Sequence, residues 1–159
     1  MSSSRSDTST PTPGGALALP DLPLTGGCQC GAVRYQATGG GPAFGACHCA
    51  TCRKWVGGPF MALQVETLSV TEGEDALNIW RSSDWGERVS CRTCGGNLFF
   101  RVVGDAGQSN VAIGTLDDAS GLTLGMEIFV DHKLPSYGFL SDASQKVTEA
   151  EFLKMIGVA

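Results

Sequence analysis

All seven cysteines of this 159-residue chain fall in three tight clusters, and that placement constrains the fold more than any other feature. Cys47-His48-Cys49-Ala50-Thr51-Cys52 carries three thiols within six residues, Cys28-Gln29-Cys30 lies upstream, and Cys91-Arg92-Thr93-Cys94 lies downstream. A packed core has no need of thiols at these spacings. Thiolates are soft ligands for zinc, which takes four in a closed structural site, or three when one position stays open. Seven divides as four plus three. The count therefore predicts two zinc ions per chain, one closed and one with room for a substrate atom. Two other chemistries compete. Disulfides would leave one cysteine over, and a C-x-C bridge closes a strained ring. An iron–sulfur cluster also takes four thiolates.

The bulk properties narrow the partners. The formal charge is −5, and binding seven thiolates to two divalent ions makes it more negative. A chain of this kind has no electrostatic footprint for nucleic acid. No apolar run approaches the roughly 20 residues that span a bilayer. The first residues have no apolar stretch of the secretory type, so the expected compartment is the cytoplasm, where thiols stay reduced. Oligomeric state is not readable.

Residues 1–20 are rich in Ser, Thr, Pro and Gly and predict a disordered tail. Beyond it, short apolar runs alternate with glycine-rich turns. Val33, Tyr35 and Ala37 share one face of a half-buried strand, and Phe44 to Cys49 reads as extended. Extended geometry puts Cys47 and Cys49 on one face and His48 on the other. Ala50 to Trp55 reads as a short helical turn, ended by Val56-Gly57-Gly58-Pro59. Strands are expected at 60–65, 67–71, 77–81, 97–103, 111–114 and 126–130, the last two closing the sheets. Thr148-Glu149-Ala150-Glu151 is a capping box, with Phe152, Met155 and Ile156 following at helical spacing. That stripe is expected to pack on a sheet; a partner interface is the alternative. The whole predicts an all-β domain with a short C-terminal helix.

Three segments taken together, Gly27-Cys28-Gln29-Cys30-Gly31-Ala32-Val33-Arg34-Tyr35, Cys47-His48-Cys49-Ala50-Thr51-Cys52-Arg53-Lys54 and Cys91-Arg92-Thr93-Cys94-Gly95, resemble the glutathione-dependent formaldehyde-activating enzyme family, which is grouped with centromere protein V. Ile113-Gly114-Thr115-Leu116-Asp117-Asp118 and Ile128-Phe129-Val130 with Lys133-Leu134-Pro135 add to the resemblance, which covers about residues 24–137 and leaves 138–159 as an extension. It implies small antiparallel sheets in a β-tent-like zinc-binding domain. It also divides the ligands, which spacing alone leaves open. Cys28, Cys30, Cys91 and Cys94 correspond to the structural site, and Cys47, Cys49 and Cys52 to the three-thiolate site. Ser136 stands where relatives often carry Trp, and Glu127 where they often carry His.

The implied activity is that of a carbon–sulfur lyase. Glutathione or a similar small thiol would act as co-substrate at the open zinc, forming or cleaving an S-hydroxymethyl adduct. The rival is a zinc-stapled interaction module without catalysis. Arg53 and Lys54, just past the last ligand, are candidates to hold a glutathione carboxylate. Trp55, Phe60 and Trp85 are candidate pocket walls. His48 reads as a surface residue or one behind the ligands, and His132 as a loop residue. None of Asp84, Glu87, Asp117 and Asp118 is assigned as a base.

Overall fold

Alternation of side chains explains most of the architecture. A computed structural model of the chain describes residues 23–104, 108–139 and 145–158; the tail expected at 1–20 lies outside the described residues. Strand β1 (Leu24–Gly27) pairs antiparallel with β2 (Arg34–Thr38), which pairs antiparallel with β5 (Thr67–Glu72) to make a three-stranded sheet. In β2, Tyr35 and Ala37 are buried while Arg34 and Gln36 face outward, as a period of two requires.

The second sheet is larger than expected and is not wholly antiparallel. It contains β3 (Ala43–Cys47), β4 (Phe60–Val65), β6 (Leu77–Arg81), β7 (Gly86–Cys91), β8 (Asn97–Val102), β9 (Ser109–Ala112), β10 (Thr123–Ile128) and β11 (Gln145–Val147). The order is β11-β10-β3-β4-β9-β8-β7-β6, and β10 runs parallel to both its neighbours, β3 and β11. Strands β1, β7 and β11 were not expected, and β9 and β10 begin and end earlier than expected. The expected all-β class holds, with one small antiparallel sheet and one eight-stranded mixed sheet.

The main core sits between the two sheets. Tyr35 and Ala37 of β2 meet Leu63, Val89, Leu98, Phe99 and Val111 of the larger sheet. Tyr35 and Phe99 make an edge-to-face pair, centroids 6.1 Å apart, and the Tyr35 hydroxyl lies 2.7 Å from Thr115 Oγ1. The middle of the larger sheet buries apolar side chains on both faces (Leu63 and Val65 on one side of β4, Phe60 and Ala62 on the other), which is why 60–65 and 97–103 read as near-continuous apolar runs. Residues one step out of phase with the core face point the other way. Cross-strand register lines them up: Ile128, Cys47 and Phe60 form one row, and Arg88, Phe100 and Asn110 another. This second face carries the candidate site.

Two helices flank that face. Helix α1 (Ala50–Val56) starts at Cys49, whose Sγ accepts from Cys52 N at 3.4 Å. It ends at Gly57, whose left-handed φ of 78° lets its N–H reach Arg53 O at 2.8 Å. Helix α2 (Glu149–Met155) begins at Thr148 with the expected capping box to Glu151. Its docking differs from expectation. Phe152 packs on Phe129 of the loop after β10 rather than on a sheet, and Met155 and Ile156 are exposed. Glu149 N donates to Asp131 Oδ1 at 2.9 Å and Glu149 Oε2 pairs with His132 Nε2 at 2.9 Å, so a 3-10 turn, Val130–His132, holds the helix start. Thr148→Ala is expected to cost about 1 kcal/mol, confined to this helix. Amide exchange should quicken across 149–155 and stay unchanged in the sheets.

Candidate functional site

Two turns bring the first four thiols together. Cys28 and Cys30 leave β1 in a turn closed by Gly31 N→Cys28 O (3.1 Å) and Cys28 N→Val33 O (3.1 Å), and Val33 N donates to Cys28 Sγ at 3.2 Å. Cys91 ends β7, and the chain folds back through Gly95, at φ 73°, with Gly95 N→Cys91 O and Cys91 N→Gly96 O both 2.9 Å. The four Sγ atoms of Cys28, Cys30, Cys91 and Cys94 all lie within 4.8 Å of one another. Two separations, 3.5 Å for Cys28–Cys30 and 3.8 Å for Cys30–Cys91, can be compared with the edge of a zinc–thiolate tetrahedron. Zinc–sulfur bonds of about 2.3 Å give an edge of about 3.8 Å. The donor set fits a closed tetrahedral ion. Cys28 and Cys91 are buried against the main core, so whatever binds here is continuous with the packing of both sheets.

Cys47, Cys49 and Cys52 converge separately, again within 4.8 Å. Cys47 comes from the end of β3, Cys49 caps α1, and Cys52 lies in its first turn. Crowding sets their protons against one another. Hydrogen bonds from Cys47, then Cys52, bring the Cys49 thiol down to about 2, while the same contacts and burial push Cys47 far up. A divalent cation among them would let all three be thiolates. These three line a cavity of about 440 Å³, and the four-thiol cluster does not. Phe60 and Ala62 of β4 pack against Cys52 and form part of its wall. Trp85 stands half-exposed at its edge, and Trp55 backs Phe60 with ring centroids 5.0 Å apart.

The cation at this cavity is Arg88. Its side chain is nearly buried, its Nη2 lies 3.5 Å from Cys52 Sγ, and its Nη1 donates to Ser82 Oγ. The guanidinium sits over Trp55 and Phe100, 5.6 and 5.4 Å from the ring centroids. Arg88 Nε is buried without a hydrogen-bond partner. Arg53 and Lys54 do not line the cavity. Arg53 Nε instead donates to the His48 carbonyl at 3.1 Å, bracing the ligand segment, and Lys54 is exposed. Arg88 was missed because nothing in its local sequence marks it. The available signal was parity: Val89 faces the core, so Arg88 faces the other side of the sheet.

His48 corrects the surface reading. It is fully buried, with Nε2 2.9 Å from Glu127 Oε2 and Nδ1 2.9 Å from the Tyr137 hydroxyl. Both ring nitrogens are therefore engaged behind the ligand segment rather than among the thiols. Glu127, on β10, is also fully buried and receives a second bond from Lys133 Nζ. His132 lines the cavity with its partner Glu149, so it is more than a loop residue. The four carboxylates left unassigned do not line the cavity. Asp117 receives Arg34 and Thr25, and Arg34 holds its carboxyl below the usual range; Glu87 pairs with Arg101 at 2.8 Å.

The glutathione-dependent formaldehyde-activating enzyme family matches residues 23–132, more than half of the chain. The chain belongs to this family. An uncharacterized lyase of Schizosaccharomyces pombe is 30% identical over 132 residues, covering 82% of this chain and 95% of that protein. A Halomonas elongata protein, provisionally named a glutathione-dependent formaldehyde-activating enzyme, is 34% identical over 86 residues, 48% of this chain and 54% of its own. The fold is similar to that of a Rhodobacter sphaeroides crystal structure, with TM-score 0.51, 19% identity, and coverage of 78% of this chain and 99% of that one. All seven cysteines and Arg88 fall within the span shared with the glutathione-dependent formaldehyde-activating family. Helix α2, which supplies Glu149, Phe152 and Leu153 to the cavity, lies beyond it.

Proposed function

We propose that this chain is a zinc-dependent carbon–sulfur lyase that takes a small thiol, glutathione or one like it, at Cys47, Cys49 and Cys52 and makes or breaks an S-hydroxymethyl-type adduct. One observation carries the reading: three converging thiols open onto a cavity, while four others close on themselves away from it. Family membership and the lyase name of the yeast relative support the reaction class. In this reading Cys28, Cys30, Cys91 and Cys94 hold a structural zinc. A second zinc held by Cys47, Cys49 and Cys52 would lower the pKa of a thiol in its fourth position and keep the sulfur nucleophilic.

The chain's own groups have separate tasks. Arg88, beside Cys52, offsets the negative charge that three thiolates and an incoming fourth collect around one divalent ion. In the forward direction a carbon–sulfur bond forms and the thiol proton ends on the former carbonyl oxygen. Ser83 and Asn110 line the cavity and offer donors to that oxygen, and His132 with Glu149 can exchange its proton at the edge. A non-catalytic module would have no use for a lined cavity at its open metal position, and that favours the enzyme.

The reading is tested by X-ray absorption at the zinc edge on the wild-type protein, with and without glutathione. Two zinc ions per chain are expected, and mean sulfur coordination should rise from about 3.5 toward 4 as the thiol binds. No change at saturating glutathione would overturn glutathione as the thiol, and no change with 2-mercaptoethanol either would overturn thiol binding at this site.

A further inference from the structure

Formaldehyde adds only one carbon and one oxygen to a sulfur, yet the three thiols face a space of about 440 Å³. Aromatic rings make up much of its wall, beside a few polar groups such as Thr51, Ser83 and Asn110. Phe60 and Phe100 stand on the sheet, Trp85 lies at the edge, and Phe129 faces Phe152 with ring centroids 5.4 Å apart. Two features single out the last pair. Phe129 is the one non-glycine residue with positive φ, 58°, among the described residues. A bulky side chain in the left-handed region is strained, and such strain persists where the surroundings impose it, characteristically at ligand clamps. Here it turns the Phe129 ring onto Phe152 and into the cavity lining. Phe152 itself comes from α2, outside residues 23–132 that the family model matches, whereas Phe129 lies within them.

The charges present do not match a polar tripeptide. Arg88 is already bonded to Ser82 and Cys52, and Glu149 to His132. Two carboxylates and an ammonium would find few partners against aromatic walls, whereas an apolar group would be removed from water by them.

We propose that the group borne on sulfur at this site is apolar and about the size of an aromatic ring, with Phe129 and Phe152 as the wall that selects it. This rests on the reading that the three-cysteine site binds a thiol. The apolar group can belong to the thiol or to the carbonyl compound that adds to it; in the second case the carbon–sulfur bond forms to the carbonyl carbon and the thiol proton passes to its oxygen.

The test is calorimetric titration of the zinc-loaded full chain with 2-mercaptoethanol, benzyl mercaptan, glutathione, and glutathione equilibrated with benzaldehyde. An aromatic arm should bind about tenfold tighter than its non-aromatic counterpart. An advantage for benzyl mercaptan places the group on the thiol, and one seen only with benzaldehyde places it on the carbonyl compound; both support the proposal. In Phe152→Ala the advantage should shrink to about threefold or less. Leu153→Trp, which fills the cavity from the same helix, should abolish it and serves as the second readout if the alanine variant loses its helix. Glutathione binding with no aromatic advantage, or an advantage untouched by both variants, overturns this proposal alone. No binding of any thiol overturns the thiol reading and this proposal together.

Discussion

Replacing Cys91 by serine is expected to abolish cooperative unfolding, leaving a chain that does not hold its native sheets at 37 °C even with zinc supplied. Cys91 is 1% exposed, ends β7 opposite Leu77, and belongs to the packed core between the sheets. Its loss opens a four-thiol site that ties residues near 29 to residues near 93. Structural zinc contributes apparent free energies of about 10–16 kcal/mol in small zinc-binding peptides, comparable to the whole stability of a domain. Cys49→Ser is expected to behave differently. Cys49 is only partly buried, caps a helix of seven residues, and faces a cavity; serine can still accept from Cys52 N as a cap. That variant should lose one zinc and cost about 2 kcal/mol or less. Urea denaturation followed by circular dichroism, with zinc counted by mass spectrometry, reads both. Equal unfolding of the two variants would sink the division into structural and open sites.

Glu127→Ala is the second large effect. Glu127 is 1% exposed and accepts from buried His48 and from Lys133, whose side chain is mostly buried. Removing one member of such a set leaves the others desolvated without compensation, which costs about 3–5 kcal/mol. Glu127→Gln keeps an acceptor oxygen and the same volume, so it should cost less than the alanine. Because His48 lies between Cys47 and Cys49, the alanine variant should also weaken metal retention at Cys47, Cys49 and Cys52 while sparing the other four thiols. Competition with a chromophoric chelator measures that, and an unchanged affinity would mean the buried set serves stability alone.

What could be read from the chain beforehand follows a physical line. The cysteine clusters announce themselves, because their chemistry lies in residue identity and their geometry in short spacings; the two turns at 28–31 and 91–96 needed no tertiary information. Strands with local alternation, such as β2, or a bounded apolar run, such as β4, were equally legible. Strand β11 was not, since Gln145-Lys146-Val147 has too few residues to show a period and exists through its parallel pairing with β10. Arg88 and Glu127 illustrate a different limit. Each is a charged residue that solvation alone would put outside, and each is buried because distant segments supply rings, hydroxyls or counter-charges. Position 48 shows the same effect: strand parity correctly sent His48 away from the thiols, but only β10 and Tyr137, far along the chain, turned that outward side into an interior.

The parallel union of β3 with β10 has a consequence for the order of assembly. A chain emerging from the ribosome carries Cys28, Cys30, Cys91 and Cys94 before residues 123–128 have been made, and the strands that end at those thiols, β1 and β7, pair with β2, β6 and β8, all of which precede β10 in the chain. The ligand strand β3, by contrast, gains its second edge only when β10 arrives, and the wall formed by α2 comes later still. Contacts of such wide sequence separation form slowly. The two thiol clusters of one small domain are thus separated in time as well as in space: the four thiols can meet during synthesis, and the three-thiol cavity takes its final shape only after the last helix is released.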